Sequence, residues 1–152
     1  RYPFEAPLVT ESFRGAIEID PSKCVGCGAC IRICPPKALT LETEGGKLVL
    51  RYFVGRCIFC WMCVDICPEK AITGTRNFEL AAESIENLYS DVIHKLAVCQ
   101  KCGKPFISAK QLDKVKKRID ASTELGEALD LCPECRRKEA LAKIAVSLGV
   151  AP

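Results

Sequence analysis

Cysteine is the residue type that decides what chemistry this chain of 152 residues can support, since it contains 12 of them. Eight form two runs with the same spacing, C-x2-C-x2-C-x3-C-P, and these are Cys24, Cys27, Cys30 and Cys34, followed by Cys57, Cys60, Cys63 and Cys67. This run is the bacterial signature of a [4Fe–4S] cluster, and in two-cluster proteins the fourth cysteine binds the other cluster. The sequence therefore predicts two ligand sets: Cys24, Cys27, Cys30 and Cys67 for cluster A, and Cys57, Cys60, Cys63 and Cys34 for cluster B.

A disulfide scaffold and a zinc site are two other possible uses of these eight cysteines. A disulfide scaffold belongs to small secreted proteins, and no secretory signal is present in the sequence. Zinc sites use separated C-x2-C pairs rather than four cysteines in one run. The paired Cys-Pro endings favour iron–sulfur clusters over both alternatives.

The remaining four cysteines form two C-x2-C pairs, Cys99 with Cys102 and Cys132 with Cys135. Two such pairs separated by an intervening segment are typical of a four-cysteine zinc site, and Gly103 suits the tight turn of a zinc knuckle. The alternative is a single iron in a rubredoxin-like site. Zinc is favoured because the flanking sequence is basic and lacks the aromatic residues that would shield an iron.

An internal repeat must position the eight cysteines of the two runs. Residues 23–39 align without a gap on residues 56–72, which predicts two similar half-folds related by a pseudo-twofold axis. Proline is tolerated in the first turn of a helix, so each Cys-Pro pair is expected to start one, at Pro36–Leu39 and near Glu69–Ile72. Alternating or β-branched residues predict strands at Ala16–Asp20 and Lys47–Val54.

The predicted fold class is α+β, a bacterial-type two-cluster ferredoxin-like domain with an extended N-terminal arm and a small C-terminal zinc-ribbon-like module. The boundaries are an arm over residues 1–15, the two-[4Fe–4S] domain over 16–82, a linker helix over 83–98 and the four-cysteine module with its C-terminal helix over 99–152. Apolar residues at helical spacing suggest the linker helix, and Ala109–Ile119 and Arg136–Leu148 are expected to be helical.

Large apolar residues fall in the arm and in the second cysteine loop. In the arm, Tyr2, Phe4 and Phe13 either cover the core of this chain or hold a partner subunit. In the loop, Trp61 is expected to contact a neighbouring subunit, because tryptophan is enriched at the centres of interfaces. The bulky side chains of Phe59, Trp61 and Met62 should also exclude water and lower the reduction potential of cluster B.

Composition limits the class of protein. The many cysteines in metal-type spacings suit a reducing, cytoplasmic compartment. No apolar run approaches about 18 residues, so no transmembrane helix is expected. The net charge is +3, with a basic C-terminal region. That region has no interleaved aromatic residues for base stacking, so nucleic acid is not an expected partner.

Several segments of the sequence resemble the two-cluster ferredoxin-like subunit of respiratory complex I and of membrane-bound [NiFe] hydrogenases. The resemblance covers about Arg1 to Leu88 and rests on Tyr2-Pro3-Phe4-Glu5, Phe13-Arg14-Gly15, Lys23–Cys30, Cys34-Pro35-Pro36 and Arg56–Cys60. The C-terminal module, with Cys102–Phe106 and Leu131–Cys135, is similar to the tail of the formate-hydrogenlyase and energy-converting hydrogenase branch. Trp61 departs from this pattern, because the family usually has glycine there.

The resemblance implies an electron-transfer subunit that catalyses no reaction by itself. Electrons would arrive from reduced ferredoxin or another Fe–S subunit, pass through cluster A and then cluster B, and leave to the proximal cluster of a hydrogenase-like small subunit, which is associated with a large subunit. The complex would lie on the cytoplasmic face of the cell membrane, and this chain would contact the membrane only indirectly. Alternatives are the same role in a complex I-like quinone or sulfur reductase, a free soluble carrier ferredoxin, or a nucleic-acid or regulatory module.

Overall fold

The computed structural model describes residues 2–119, 126 and 128–148. Arg1, residues 120–125, residue 127 and residues 149–152, which the sequence assigns to the arm and the zinc module, lie outside the described residues. The described chain mixes short helices with strands, so the predicted α+β class is confirmed at this level. None of its helices has both the length and the apolar character that a bilayer span needs.

The secondary structure begins with two similar halves and ends with two longer helices. Its elements are β1 (Ile17–Ile19), α1 (Ala29–Ile33), β2 (Leu39–Glu44), β3 (Lys47–Phe53), a 3-10 turn (Val54–Arg56), α2 (Met62–Ile66), β4 (Ile72–Gly74), a second 3-10 turn (Ile85–Leu88), β5 (Tyr89–Val98), β6 (Pro105–Ser108), α3 (Ala109–Lys116) and α4 (Pro133–Ser147). One sheet has two antiparallel strands, β1 and β4, and the other has the order β2-β3-β5-β6.

Contacts divide the chain into two compact units. The first comprises the chain up to Cys24 with residues 28–42 and 49–93, and its core includes Leu39, Leu50, Tyr52 and Ile72. The second comprises residues 25–27, 43–48 and the described chain from His94 onward. Its core consists of buried Cys99, Leu131, Cys132 and Cys135, with Phe106 packed against them. Thiols therefore contribute to the core of both units, since Cys24, Cys30 and Cys63 are buried in the first.

The internal repeat is visible in the backbone angles of the two cysteine loops. Three pairs of equivalent positions adopt a left-handed conformation: Gly26 (φ 70°) and Phe59 (φ 54°), Gly28 (φ 74°) and Trp61 (φ 63°), and Lys37 (φ 52°) and Lys70 (φ 48°). A side chain makes this conformation unfavourable, so glycine is the usual residue. The second loop keeps the backbone that glycine would adopt although it has Phe59 and Trp61 instead.

The predicted helices after the two Cys-Pro pairs are wrong. The helices come earlier, and Cys34 and Cys67 cap the C-terminal ends of α1 and α2 with extended backbone angles. A proline disfavours helical angles at the residue before it, so each helix ends at its cysteine. Residues 36–39 instead contain the left-handed turn at Lys37 and the start of β2, and residues 69–72 contain Lys70 and the start of β4.

The predicted linker helix over residues 83–98 is also wrong. A 3-10 turn occupies Ile85–Leu88, and Tyr89–Val98 is the extended strand β5. Burial alternates along this strand, with Val92 and His94 buried and Ile93 exposed. The apolar residues of this segment fit both a helical and a strand spacing, but only a strand buries both Val92 and His94. Antiparallel pairing with β6 gives Leu96 and Ala97 partner residues for their backbone hydrogen bonds.

The aromatic residues of the arm differ in their contacts, and the expected contact of the arm with a partner subunit stays a prediction. Tyr2 and Phe13 lie edge-on to the ring of Phe78, with ring centroids 5.8 Å and 6.2 Å away. Phe4 and Leu8 are almost fully exposed. The first two rings therefore pack against this chain, while the other two side chains contact no core.

Gly15 allows the chain before β1 to lie directly against the chain after β4. A Cβ at this position would lie 2.3 Å from the carbonyl oxygen of Asn77. Gly15 also donates its N–H to Thr75 at 2.8 Å, so the two segments cannot separate without breaking this bond. We expect Gly15→Ala to cost about 3 kcal/mol, from overpacking against backbone and weakened hydrogen bonds.

Gly45→Ala is the matched control, because Gly45 has φ 54° but no atom within 4 Å of its Cβ position. It should cost only the left-handed strain of about 1 kcal/mol. Thermal unfolding of the anaerobically isolated protein, followed by circular dichroism, compares the two. Equal losses in the two variants would show that the contact at Gly15 relaxes at little cost.

Candidate iron–sulfur and metal sites

A cavity in the first unit brings together the four cysteines predicted for cluster B. Its walls include Cys34, from the end of α1, and Cys57, Cys60 and Cys63, from the second loop and α2. The remaining walls are mainly apolar and include Ile17, Leu39 and Trp61. One cysteine of the first half thus meets three of the second half, as the duplicated spacing predicts, although their role as ligands stays a prediction.

Burial and the neighbouring sulfurs oppose the ionisation of Cys63 in this cavity. Burial, together with the neighbouring sulfurs of Cys57, Cys34 and Cys60, raises the pKa of Cys63 to about 11. Four thiolates close together repel each other in a poorly solvated site unless cations lie between them. The donor set therefore fits a positively charged iron–sulfur core that takes up thiolates.

Backbone N–H groups point at several of these sulfurs in matching positions of the repeat. Ala38 donates its N–H to Cys34 Sγ and Ala71 donates its N–H to Cys67 Sγ, both at 3.3 Å. Phe59 donates its N–H to Cys57 Sγ at 3.4 Å. The left-handed lysines Lys37 and Lys70 immediately precede the first two donors. Hydrogen bonds of this kind are among the factors that set cluster potentials.

The cysteines predicted for cluster A differ in exposure. Cys24 and Cys30 are buried, Cys67 is partly buried and Cys27 is exposed. Since α1 packs against α2, the two helix ends at Cys34 and Cys67 are held in related positions of the two halves. Cys27 is exposed, whereas the other seven cysteines of the two runs are buried or partly buried.

Gly26, between Cys24 and Cys27, lies against the ring of His94. A Cβ at Gly26 would be 3.0 Å from Cδ2 of His94 and 3.3 Å from the Cβ of Ser108. Both ring nitrogens of His94 and the hydroxyl of Ser108 are buried and have no hydrogen-bond partner among the described residues. Burial, and to a lesser extent Lys110, lowers the pKa of His94 and favours the neutral ring.

Trp61 packs against other segments of this chain, and its expected contact with a neighbouring subunit stays a prediction. Its Nε1 donates a hydrogen bond to the carbonyl oxygen of Gly15 at 2.9 Å. Its ring lies over Gly74, where a Cβ would come within 2.4 Å of the indole. Arg14 lies over the indole ring at 5.8 Å and donates to the carbonyl oxygen of Cys60. Trp61 thus connects the second cysteine loop to the segments before β1 and at the end of β4.

The four cysteines of the C-terminal module form a compact sulfur cluster. The sulfurs of Cys99, Cys102, Cys132 and Cys135 lie within 4.8 Å of one another, and Cys102 Sγ is 3.6 Å from Cys132 Sγ. All 12 cysteines lie among the described residues and none forms a disulfide. A tetrahedral ion with Zn–S bonds of 2.3 Å would hold its sulfurs roughly 3.8 Å apart. The four residues fit one such ion.

Local backbone structure prepares this sulfur cluster. A tight turn closes with Cys99 donating its N–H to Lys104 and Gly103 donating to Cys99, both at 2.9 Å, with Gly103 at φ 68°. Cys132 caps the N-terminus of α4, and its sulfur accepts from the N–H of Cys135. The predicted knuckle turn at Gly103 is therefore present.

The thiols of this module differ in acidity. The backbone N–H of Cys132, which donates to Cys99 Sγ at 3.2 Å, lowers the pKa of Cys99 to about 6. Burial, followed by hydrogen bonds with the other thiols, raises the pKa of Cys135 to about 12. The Cys99 thiol is thus ready to ionise near neutral pH, whereas Cys135 needs a bound cation before it loses its proton.

Two contributors to these sites escaped the sequence reasoning. Tyr52 lines the cavity of the cluster B cysteines, and Gly74 makes room for Trp61. Leu50 and Tyr52 alternate with Arg51 along β3, and both are buried. This alternation could have indicated that the Tyr52 side chain faces the core. The contact between Gly74 and Trp61 joins distant parts of the chain, and no local pattern indicates it.

Comparison with known proteins agrees with the cysteine pattern. A family profile described as a 4Fe-4S dicluster domain matches residues 16–68. NAD(P)H-quinone oxidoreductase subunit I of Rippkaea orientalis is 37% identical over 49 residues, which span 32% of this chain and 25% of that protein. A chain of the membrane-bound sulfane sulfur reductase, an archaeal respiratory membrane complex, aligns with 55% of this chain and 51% of its own length, at 28% identity and a TM-score of 0.40. That score is too low to support a structural argument.

One relative matches nearly the whole chain, including the C-terminal module. Formate hydrogenlyase subunit 6 of Escherichia coli (strain K12) is 41% identical over 147 residues, which span 92% of this chain and 82% of that protein. The predicted resemblance is thereby confirmed. This chain belongs to the family of formate hydrogenlyase subunit 6 and contains its two-cluster ferredoxin-like domain.

Proposed function

We propose that this chain is an electron-transfer subunit of a membrane-bound, hydrogenase-type respiratory complex and catalyses no reaction alone. It receives electrons from reduced ferredoxin or another Fe–S subunit and passes them to the proximal cluster of a hydrogenase-like small subunit, next to the large subunit. The observation that supports this most strongly is the meeting of Cys34 with three cysteines of the other half in one cavity. Membership of the formate hydrogenlyase subunit 6 family supports the proposal that the chain works within a hydrogenase-type complex.

The proposed ligand sets are Cys24, Cys27, Cys30 and Cys67 for cluster A, and Cys57, Cys60, Cys63 and Cys34 for cluster B. When bound, each [4Fe–4S] cluster supplies a one-electron carrier of low potential. The residues of this chain hold the carriers at a fixed separation, direct N–H groups at their sulfurs and limit water. Fixed geometry and little reorganisation are what electron transfer requires of a protein, so no acid, base or nucleophile is needed.

The direction from cluster A to cluster B is supported by the surfaces next to the two sites. Cys27 is exposed, so a diffusing donor reaches the cluster A side most closely. At the cluster B cavity, Ile58 and Met62 are 60% and 40% exposed although they are large and apolar. Exposed apolar side chains beside a cofactor site suit permanent contact with another subunit.

For the C-terminal module we propose a structural zinc ion bound by Cys99, Cys102, Cys132 and Cys135. Four protein sulfurs leave no open coordination position, which is characteristic of structural rather than catalytic zinc. Exposed ion pairs from Lys101 to Glu139 and from Lys104 to Glu134 connect the knuckle turn to α4. A single rubredoxin-type iron would use the same four sulfurs, so metal analysis must distinguish the two.

The proposed location is the cytoplasmic face of the cell membrane, with membrane contact through other subunits. A second candidate is the same electron-transfer role in a complex I-like quinone or sulfur reductase. The similarity to NAD(P)H-quinone oxidoreductase subunit I favours it, although this chain spans only a quarter of that relative. Purification under anaerobic conditions and identification of the associated subunits test both candidates. A monomer that purifies alone and diffuses as a carrier would contradict both.

Two cysteine substitutions should separate the iron and zinc sites. The anaerobically purified chain should contain about eight irons and one zinc. Cys135→Ser should remove the zinc and keep the iron, because the sulfur ligands of the module are all its own. Cys60→Ser should do the reverse and lower the iron content by up to about four atoms. Elemental analysis of the purified variants gives the counts. Loss of zinc in Cys60→Ser, or iron in place of zinc in the unmodified chain, would contradict this assignment.

A charge at the mouth of the cluster B cavity should weaken docking of the acceptor subunit. Met62→Lys places a cation where an apolar contact is proposed, and we expect at least a tenfold loss of affinity, which is about 1.4 kcal/mol. Ile85→Lys is the control, because Ile85 is 63% exposed and does not line the cavity. Both variants should keep their iron. Co-purification with the complex and its rate of ferredoxin-dependent reduction measure the effect, and equal behaviour of the two variants would reject this surface as the docking site.

A further inference from the structure

The hydroxyl group of Tyr52 is buried beside the cysteines proposed to bind cluster B. Tyr52 is 4% exposed and lies on β3, and its side chain lines the cavity that Cys34, Cys57, Cys60 and Cys63 share. Its hydroxyl has no hydrogen-bond partner among the described residues. A buried polar group without a partner is destabilising, so native structures seldom keep one without a role.

The Cys57 thiol is the neighbouring sulfur that this hydroxyl can reach. Burial raises the pKa of Tyr52 above its ordinary value, and the next contribution comes from the adjacent Cys57. A tyrosine phenol has an ordinary pKa of about 10, so this hydroxyl is protonated at physiological pH and available as a donor. A thiolate bound to iron is a better acceptor than the neutral thiol, because hydrogen bonds to charged acceptors are stronger.

We propose that the Tyr52 hydroxyl donates a hydrogen bond to the Cys57 sulfur when the site is loaded, and that this bond raises the reduction potential of cluster B. The inference rests on the proposed assignment of Cys57 to that cluster. An added electron increases the negative charge on the sulfur ligands, so a donor stabilises the reduced state more than the oxidised state. Tyr52 is thus a positioning and tuning residue and transfers no electron itself.

The equivalent position in the first half carries no hydroxyl. Ile19 precedes Cys24 by the same number of residues as Tyr52 precedes Cys57, and it packs against the same core. The Tyr52 hydroxyl therefore raises the potential at only one of two otherwise similar sites. This favours electron flow from cluster A to cluster B. It also offsets the lowering expected from the bulky side chains of the second loop, which exclude water.

Tyr52→Phe removes the hydroxyl and keeps the ring that fills the core. In the full-length chain, loaded with clusters and titrated under anaerobic conditions with EPR detection, one of two midpoint potentials should fall. We expect about a tenfold smaller ratio of reduced to oxidised cluster at a fixed potential, equivalent to 59 mV for one electron. Tyr89→Phe is the control, since Tyr89 is half-exposed, stacks on Phe53 and does not line the cavity.

The outcomes separate this inference from the proposed function. Incorporation of 3-fluorotyrosine at position 52 strengthens the donor and should raise the same potential, which a purely structural role would not explain. Two EPR-active clusters with unchanged potentials in Tyr52→Phe would overturn the inference and leave the proposed function intact. Loss of one cluster in Tyr52→Phe would show that Tyr52 is structural, and this too would overturn the inference. Absence of both clusters from the unmodified protein would overturn the proposed function itself.

Discussion

The convergence of Cys34 on three thiols of the other half is the constraint on which the ferredoxin-like unit depends. Cys34 terminates α1, and its partners Cys57, Cys60 and Cys63 follow β3 and enter α2. Burial and the neighbouring sulfurs disfavour the ionised form of Cys63 and raise its pKa. Without a positively charged core between them, this part of the chain would contain mutually repelling or protonated sulfurs in place of an apolar centre. We therefore expect metal binding and folding to be coupled in this unit.

Backbone conformation is the second requirement, because each loop must direct its sulfurs and N–H groups inward. The first loop meets it with Gly26 and Gly28, and the second adopts the same left-handed angles with Phe59 and Trp61. The strain at Trp61 is compensated by packing, since its indole covers Gly74 and bonds to Gly15. A residue that departs from the usual glycine thus connects the loop to other segments of its own domain.

Ligand spacing follows from the shape of the metal centre, so the sequence alone could indicate that Cys34 would meet Cys57, Cys60 and Cys63 in one cavity. The complete ligand sets of both clusters stay predictions. The sequence predicted α3 and α4 to within a few residues, since charged and apolar positions there repeat only with a helical period. The short helices lie earlier than the sequence predicts, because the proline after Cys34 follows the end of α1 and does not start a helix. In β5 the burial of His94, which depends on contacts with Gly26 and Ser108, could not be seen in a local pattern. Tyr52 was missed for the same reason, since its role depends on a cavity formed by both halves.

The most direct test of the central claim is EPR spectroscopy of the anaerobically reduced full-length chain with quantification of spins. If Cys34 and Cys67 are exchanged between the halves, two [4Fe–4S] clusters lie close together, and the spectrum should show magnetic interaction and integrate to about two spins per chain. A fully folded protein that shows a single isolated cluster, or no cluster, would contradict the account.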